Sequence, residues 1–161
     1  MTRWLLAVLL LAVPDVALAR PNHRAAPMVA TVAPLPAPEQ VMLAASGGRS
    51  VDVSVLSARR ARGVVLFGHG YGGQPIAYAR LIERLWRAGY SVVAPLSLDS
   101  FAGPLKGQVE PQRAFATRIE DMRLVRGYIA RRFARQPVVL AGHSFGSLMA
   151  LIGAGAKTPA G

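Results

Sequence analysis

The stretch from Pro137 to Ile152 constrains the fold more than any other. Val138-Val139-Leu140-Ala141 is a short, continuous apolar run, and Gly142-His143-Ser144-Phe145-Gly146 follows it directly. Ser147-Leu148-Met149-Ala150-Leu151-Ile152 then reads as an apolar helix. A buried strand must therefore become a helix around one serine. So tight a turn strains the backbone at Ser144 and needs small residues two before and two after it, which Gly142 and Gly146 supply. The same turn lifts the Ser144 hydroxyl above the strand end and aims the next helix's N-terminus at it.

The rest of the pattern agrees with a sheet of that kind. Val51, Val53 and Val55 alternate with polar residues; with Val41 and Leu43 across Ser46-Gly47-Gly48 they predict an amphipathic β-hairpin at a sheet edge. Gly63 to Phe67 is a continuous apolar run, as in strands buried on both faces, and Tyr90 to Ala94 reads as another buried strand, ended by Pro95. Residues 76–88 predict a helix with Tyr78, Leu81, Ile82, Leu85 and Trp86 on one face. Residues 112–134 predict a long helix with a stripe of Phe115, Ile119, Met122, Val125, Ile129 and Phe133. Residues 96–111, punctuated by Gly and Pro, are expected to be irregular. Buried strands alternating with amphipathic helices imply an α/β fold with a doubly wound, mostly parallel sheet.

A second motif, Gly68-His69-Gly70-Tyr71-Gly72-Gly73, comes directly after a buried strand. It lacks the Gly-Lys-Ser/Thr ending of a phosphate loop and the spacing of a dinucleotide fingerprint. It reads either as a tight strand-to-helix connection or as a loop whose backbone N–H groups face a ligand. The serine turn about seventy residues later gives the second reading its weight, because ester hydrolysis needs donors for an oxyanion.

On these two motifs, and on Arg118-Ile119-Glu120-Asp121 ahead of the last strand, residues 40–161 resemble the N-terminal half of an α/β-hydrolase. The likeness is to dienelactone hydrolase-like, chlorophyllase-like and platelet-activating-factor-acetylhydrolase-like esterases. The resemblance implies that Ser144 is the nucleophile of an acyl-enzyme mechanism. It implies that the backbone N–H groups of Tyr71 and Phe145 form an oxyanion hole. Gly142, His143 and Gly146 would support the turn, and His69, Gly70 and Gly72 the loop. His143 is expected to point away from Ser144 and pack, and His69 to order the loop rather than act as base. Arg118 and Asp121, three apart on a helix, are expected to form an ion pair. Asp99 is expected to be a solvated loop acid.

In that family the triad acid and histidine follow the nucleophile in chain order. Here no histidine follows His143, and 15 residues follow Gly146. The expectation is a domain truncated after the helix that follows the serine, with the acid and histidine missing. The activity implied is ester hydrolysis of a small molecule, without metal or organic cofactor. Acyl transfer or amide hydrolysis on the same fold, and a non-catalytic binding role, stay open as alternatives.

Composition adds location and partners. The chain of 161 residues carries a formal charge of +11, and all but Lys106 and Lys157 of its 19 basic residues are arginine. The arginines are scattered, without a basic stripe interleaved with aromatics, so no nucleic-acid partner is expected. Arg3, the apolar run from Trp4 to Val13 and the small residues around Ala17 and Ala19 read as a secretory signal peptide over 1–19. That predicts export to the periplasm or beyond, with no stable membrane insertion after cleavage. Residues 20–38, carrying Pro21, Pro27, Pro34, Pro36 and Pro38 among alanines, read as an extended linker to a domain over 39–161.

Overall fold

The computed structural model describes residues 34–157. The expected signal peptide over 1–19 and most of the expected linker lie outside the described residues. The elements in chain order are β1 (Glu39–Ala44), β2 (Ser50–Leu56), β3 (Gly63–Gly68), α1 (Ala79–Arg87), β4 (Tyr90–Leu96), α2 (Pro111–Arg132), β5 (Val138–Gly142) and α3 (Phe145–Gly153). The strands form one sheet in the order β1-β2-β4-β3-β5. β3 pairs in parallel with β4 and β5, whereas β2 is antiparallel to both β1 and β4. The doubly wound part is thus the parallel unit of β4, β3 and β5, extended at one edge by the hairpin.

Period-2 alternation sorts the apolar side chains onto two faces. Val51, Val53, Val55, Val64, Leu66 and Val93 pack with Val125, Ile129 and Phe133 beneath α2. Val65, Phe67, Val92 and Ala94 pack on the other face, against Tyr78, Leu81, Ile82, Leu85 and Trp86. That stripe is split in the structure. Pro75–Tyr78 is a single 3₁₀ turn, and the α-helix proper starts at Ala79. Leu35, from the end of the proline-rich segment, also packs on this second core.

On α2 the stripe expected from apolar periodicity holds in the C-terminal half and shifts in the N-terminal half. The buried residues of α2 are Ala114, Arg118, Asp121, Val125 and Ile129. Two of the five positions on the buried face are therefore charged. Helical spacing, not hydrophobicity, puts them there.

Strand order reverses at β3, with β4 on one side and β5 on the other. In open α/β sheets a crevice forms at such a point, outside the carboxyl ends of the strands. The loops that follow β3, β4 and β5 all leave from that end.

Candidate active site

Ser144 stands between β5 and α3 with φ 51° and ψ −119°, a left-handed conformation that side-chain-bearing residues rarely adopt. Packing on both sides imposes it. A Cβ on Gly142 would run into the Gly146 carbonyl, and a Cβ on Gly146 into the Gly68 carbonyl of β3. The His143 N–H donates to Gly68 O at 3.1 Å, extending the β3–β5 ladder to the turn itself. The Gly146 N–H donates to His143 O at 2.9 Å, and Ser147 Oγ donates to Gly142 O at 2.7 Å. The Ser144 side chain is left exposed.

The glycine loop after β3 lies against this turn. A Cβ placed on Gly70 would sit 3.6 Å from Ser144 Cβ and 3.1 Å from His143 Nδ1. Both expected oxyanion donors flank this space in sequence, Tyr71 just after Gly70 and Phe145 just after Ser144. Among the described residues nothing accepts a hydrogen bond from either backbone N–H. Their side chains meet, with ring centroids 6.0 Å apart. Tyr71 Oη donates to Val109 O at 2.6 Å.

His69 is fully buried and its bonds fix its tautomer. The Ser97 N–H donates to Nε2 at 3.0 Å, so Nδ1 carries the proton and donates to Gly70 O at 2.7 Å. Burial lowers its pKa, and the nearby Arg118 charge works in the same direction. The ring is therefore a neutral strut inside the loop, with neither nitrogen free for proton transfer.

His143 departs from expectation. Its ring is exposed rather than packed, and its Nδ1 lies 2.9 Å from the Tyr78 hydroxyl. That hydroxyl also accepts from the Gly70 N–H at 3.2 Å. Tyr78 thereby ties the serine turn to the glycine loop. In the sequence it had shown only as part of a helix face.

Two further expectations are corrected. Arg118 does not pair with Asp121, and Asp99 is not solvated. Asp99 is 0% exposed and Arg118 3%. Arg118 grips Asp99 with both ends of its fork, Nε to Oδ1 at 2.7 Å and Nη2 to Oδ2 at 2.8 Å. Burial alone would raise the Asp99 carboxyl, but the Arg118 fork outweighs it and holds the group below the usual carboxylate range. Asp121 instead pairs with Arg49. An i,i+3 ion pair on a helix surface gains little, whereas a buried carboxylate without a partner is costly. The partner across the loop therefore wins. The signal available in the sequence was positional: Arg118 follows Ala114 by four residues and precedes Val125 by seven, on the buried face.

Among the described residues no group of three His, Cys, Asp or Glu is placed to hold a metal ion, and no helix is long and apolar enough to cross a membrane.

Solved structures similar to this fold include two esterases and a lipase. A thermostable carboxyl esterase from Bacillus coagulans superposes with a TM-score of 0.57 at 22% identity, over 73% of this chain and 40% of its own. An esterase from Pyrobaculum calidifontis gives 0.56 at 20%, over 75% and 39%. A lipase in an open form gives 0.61 at 24%, over 70% and 38%. The chain thus spans about two fifths of the length of these structures. No curated protein matches the sequence. The model of the family described as serine aminopeptidase, S33, matches residues 59–160, well over half of the chain and both loops of the site. The chain belongs to that family of α/β-hydrolases.

Proposed function

We propose that this chain carries the nucleophile half of a serine hydrolase site acting on carboxylic esters of small molecules. One observation carries the reading: an exposed serine, held in a strained turn, faces a loop whose nearby amide and its own neighbour's amide have no acceptor among the described residues. Ser144 Oγ attacks the ester carbonyl, and the bond to the alcohol oxygen later breaks to leave an acyl-serine. The Tyr71 and Phe145 N–H groups hold the oxyanion of the tetrahedral intermediate. Water then releases the acid. The serine proton goes to a histidine oriented by an acid, and from it to the departing alcohol. His69 is excluded because both its nitrogens are engaged.

The test is covalent labelling of the chain with a fluorophosphonate, read by intact mass and peptide mapping. Modification at Ser144 that Ser144→Ala abolishes supports the proposal. A folded chain that stays unlabelled overturns it. Amide hydrolysis is the second reading, favoured by the family's description as serine aminopeptidases. Cleavage of aminoacyl p-nitroanilides faster than p-nitrophenyl esters would put that reading first.

A further inference from the structure

Arg118 touches both halves of the site without reaching Ser144. Besides its fork on Asp99, Nη1 donates to His69 O at 2.8 Å and Nη2 to Gly70 O at 3.1 Å. On its other side the guanidinium lies 4.8 Å from the centroid of the Phe145 ring. It is the one charged group among the described residues that meets the loop of Tyr71 and the side chain of Phe145 together.

The contact with Gly70 O has a directional consequence. Gly70 C=O and Tyr71 N–H belong to one peptide unit, which is planar and trans. Fixing the oxygen therefore fixes the N–H, which points the opposite way. Three donors converge on that oxygen: His69 Nδ1 at 2.7 Å, the Gly73 N–H at 3.0 Å and Arg118 Nη2 at 3.1 Å. They also polarise the peptide, and a polarised unit gives a stronger donor at its N–H end. Asp99 anchors the far end of the loop by accepting from the Gly72 N–H at 3.1 Å. At Phe145 the guanidinium presents a cation to the ring face, in a buried setting where such contacts are strongest.

We propose that Arg118, braced by Asp99, is a positioning residue that aims and polarises the Tyr71 amide and holds Phe145, so that both amides face one oxyanion. The proposal rests on the reading of Ser144 as a nucleophile. It concerns groups that touch no substrate, so its effect falls on reaction of the bound reagent and not on binding. A planar fork with three nitrogens engaged cannot be replaced by an ammonium.

The experiment uses the full chain with Arg118→Met, Arg118→Lys and Asp99→Asn, and Arg113→Met, an exposed site on the same helix, as control. Amide hydrogen exchange is followed over 68–73 and 142–147, and fluorophosphonate labelling is resolved into a binding constant and a maximal rate. For Arg118→Met we expect faster exchange in both segments and a maximal rate about a hundredfold lower, the size of losing one oxyanion donor, with binding nearly unchanged. Arg118→Lys should fail to restore either. Asp99→Asn should loosen 68–73 and leave 142–147 as it was. Wild-type exchange in both segments for Arg118→Lys and Asp99→Asn would overturn the proposal, as would a loss confined to binding. If Arg118→Met does not fold, the other two variants decide. If the wild-type chain does not label, the serine hydrolase reading falls, while the exchange data still decide whether Arg118 couples the two segments.

Discussion

Ser144 shows how a single residue reports its own constraint. At φ 51° and ψ −119° its Cβ is unwelcome, and a glycine would relax there. Such a conformation stores about 1–3 kcal/mol, while a new glycine gives back about 0.5–1 kcal/mol through the unfolded chain. Ser144→Gly should therefore be more stable than Ser144→Ala by about 1 kcal/mol, measured by urea denaturation. Equal midpoints would mean that the turn carries no strain. This part of the site was legible in the sequence because a tight turn writes its needs locally, as Gly142 and Gly146 on either side of the serine. Arg118 and Asp99 were not legible. Their pairing spans 19 residues of loop and helix, and the nearer partner Asp121 met the local rule for a helical ion pair. Only the fold decides between a neighbour on a helix and a partner across a loop.

At the scale of elements, periodicity exposed the strands and helices, since each buries an apolar face of fixed period. It did not show the polar part of the contact between the hairpin and α2, which adds to the apolar packing of Val51, Val53 and Val55. Arg49, just past the β1–β2 turn, reaches Glu120 and Asp121 at 2.7 Å each, and the Ser46 N–H donates to Glu120 at 2.7 Å. Asp121 is 2% exposed, and its Oδ2 has no partner. Burial raises its pKa despite Arg49. Arg49→Leu leaves that carboxylate uncompensated and should cost about 2 kcal/mol, below the roughly 3–5 kcal/mol for breaking a fully buried pair because Arg49 is partly solvated. Adding Asp121→Leu should recover more than half of the loss. The pH dependence has a definite sign. A carboxyl whose folded-state pKa is raised weakens the fold above that pKa, and the penalty fades as pH falls and the folded state takes up the proton. The stability gap between the single and double variants should thus narrow from pH 7 toward pH 4. A constant gap would show that Asp121 is not the source.

For the whole molecule, the same topology that builds the crevice leaves β5 at the edge of the sheet. Among the described residues no strand pairs with its outer side. All five of its residues are only half-buried, and next to it Leu148 and Leu151 of α3 are 41% and 42% exposed. An unpaired apolar edge is a template for another copy. The opposing influence is the charge of +11, which repels copies over a range set by salt. The Debye length is about 10 Å at 0.1 M and about 3 Å at 1 M. Raising salt removes the repulsion and strengthens the apolar contact. The chain should therefore sediment as a monomer at low ionic strength and self-associate as sodium chloride rises toward about 1 M. Leu151→Lys places a charge beside the edge and should move the onset to higher salt. Association that weakens with salt would point instead to ion pairing between copies, and a monomer throughout would mean that the β5 edge is protected. In either case the edge would not be the surface through which this fold seeks a partner.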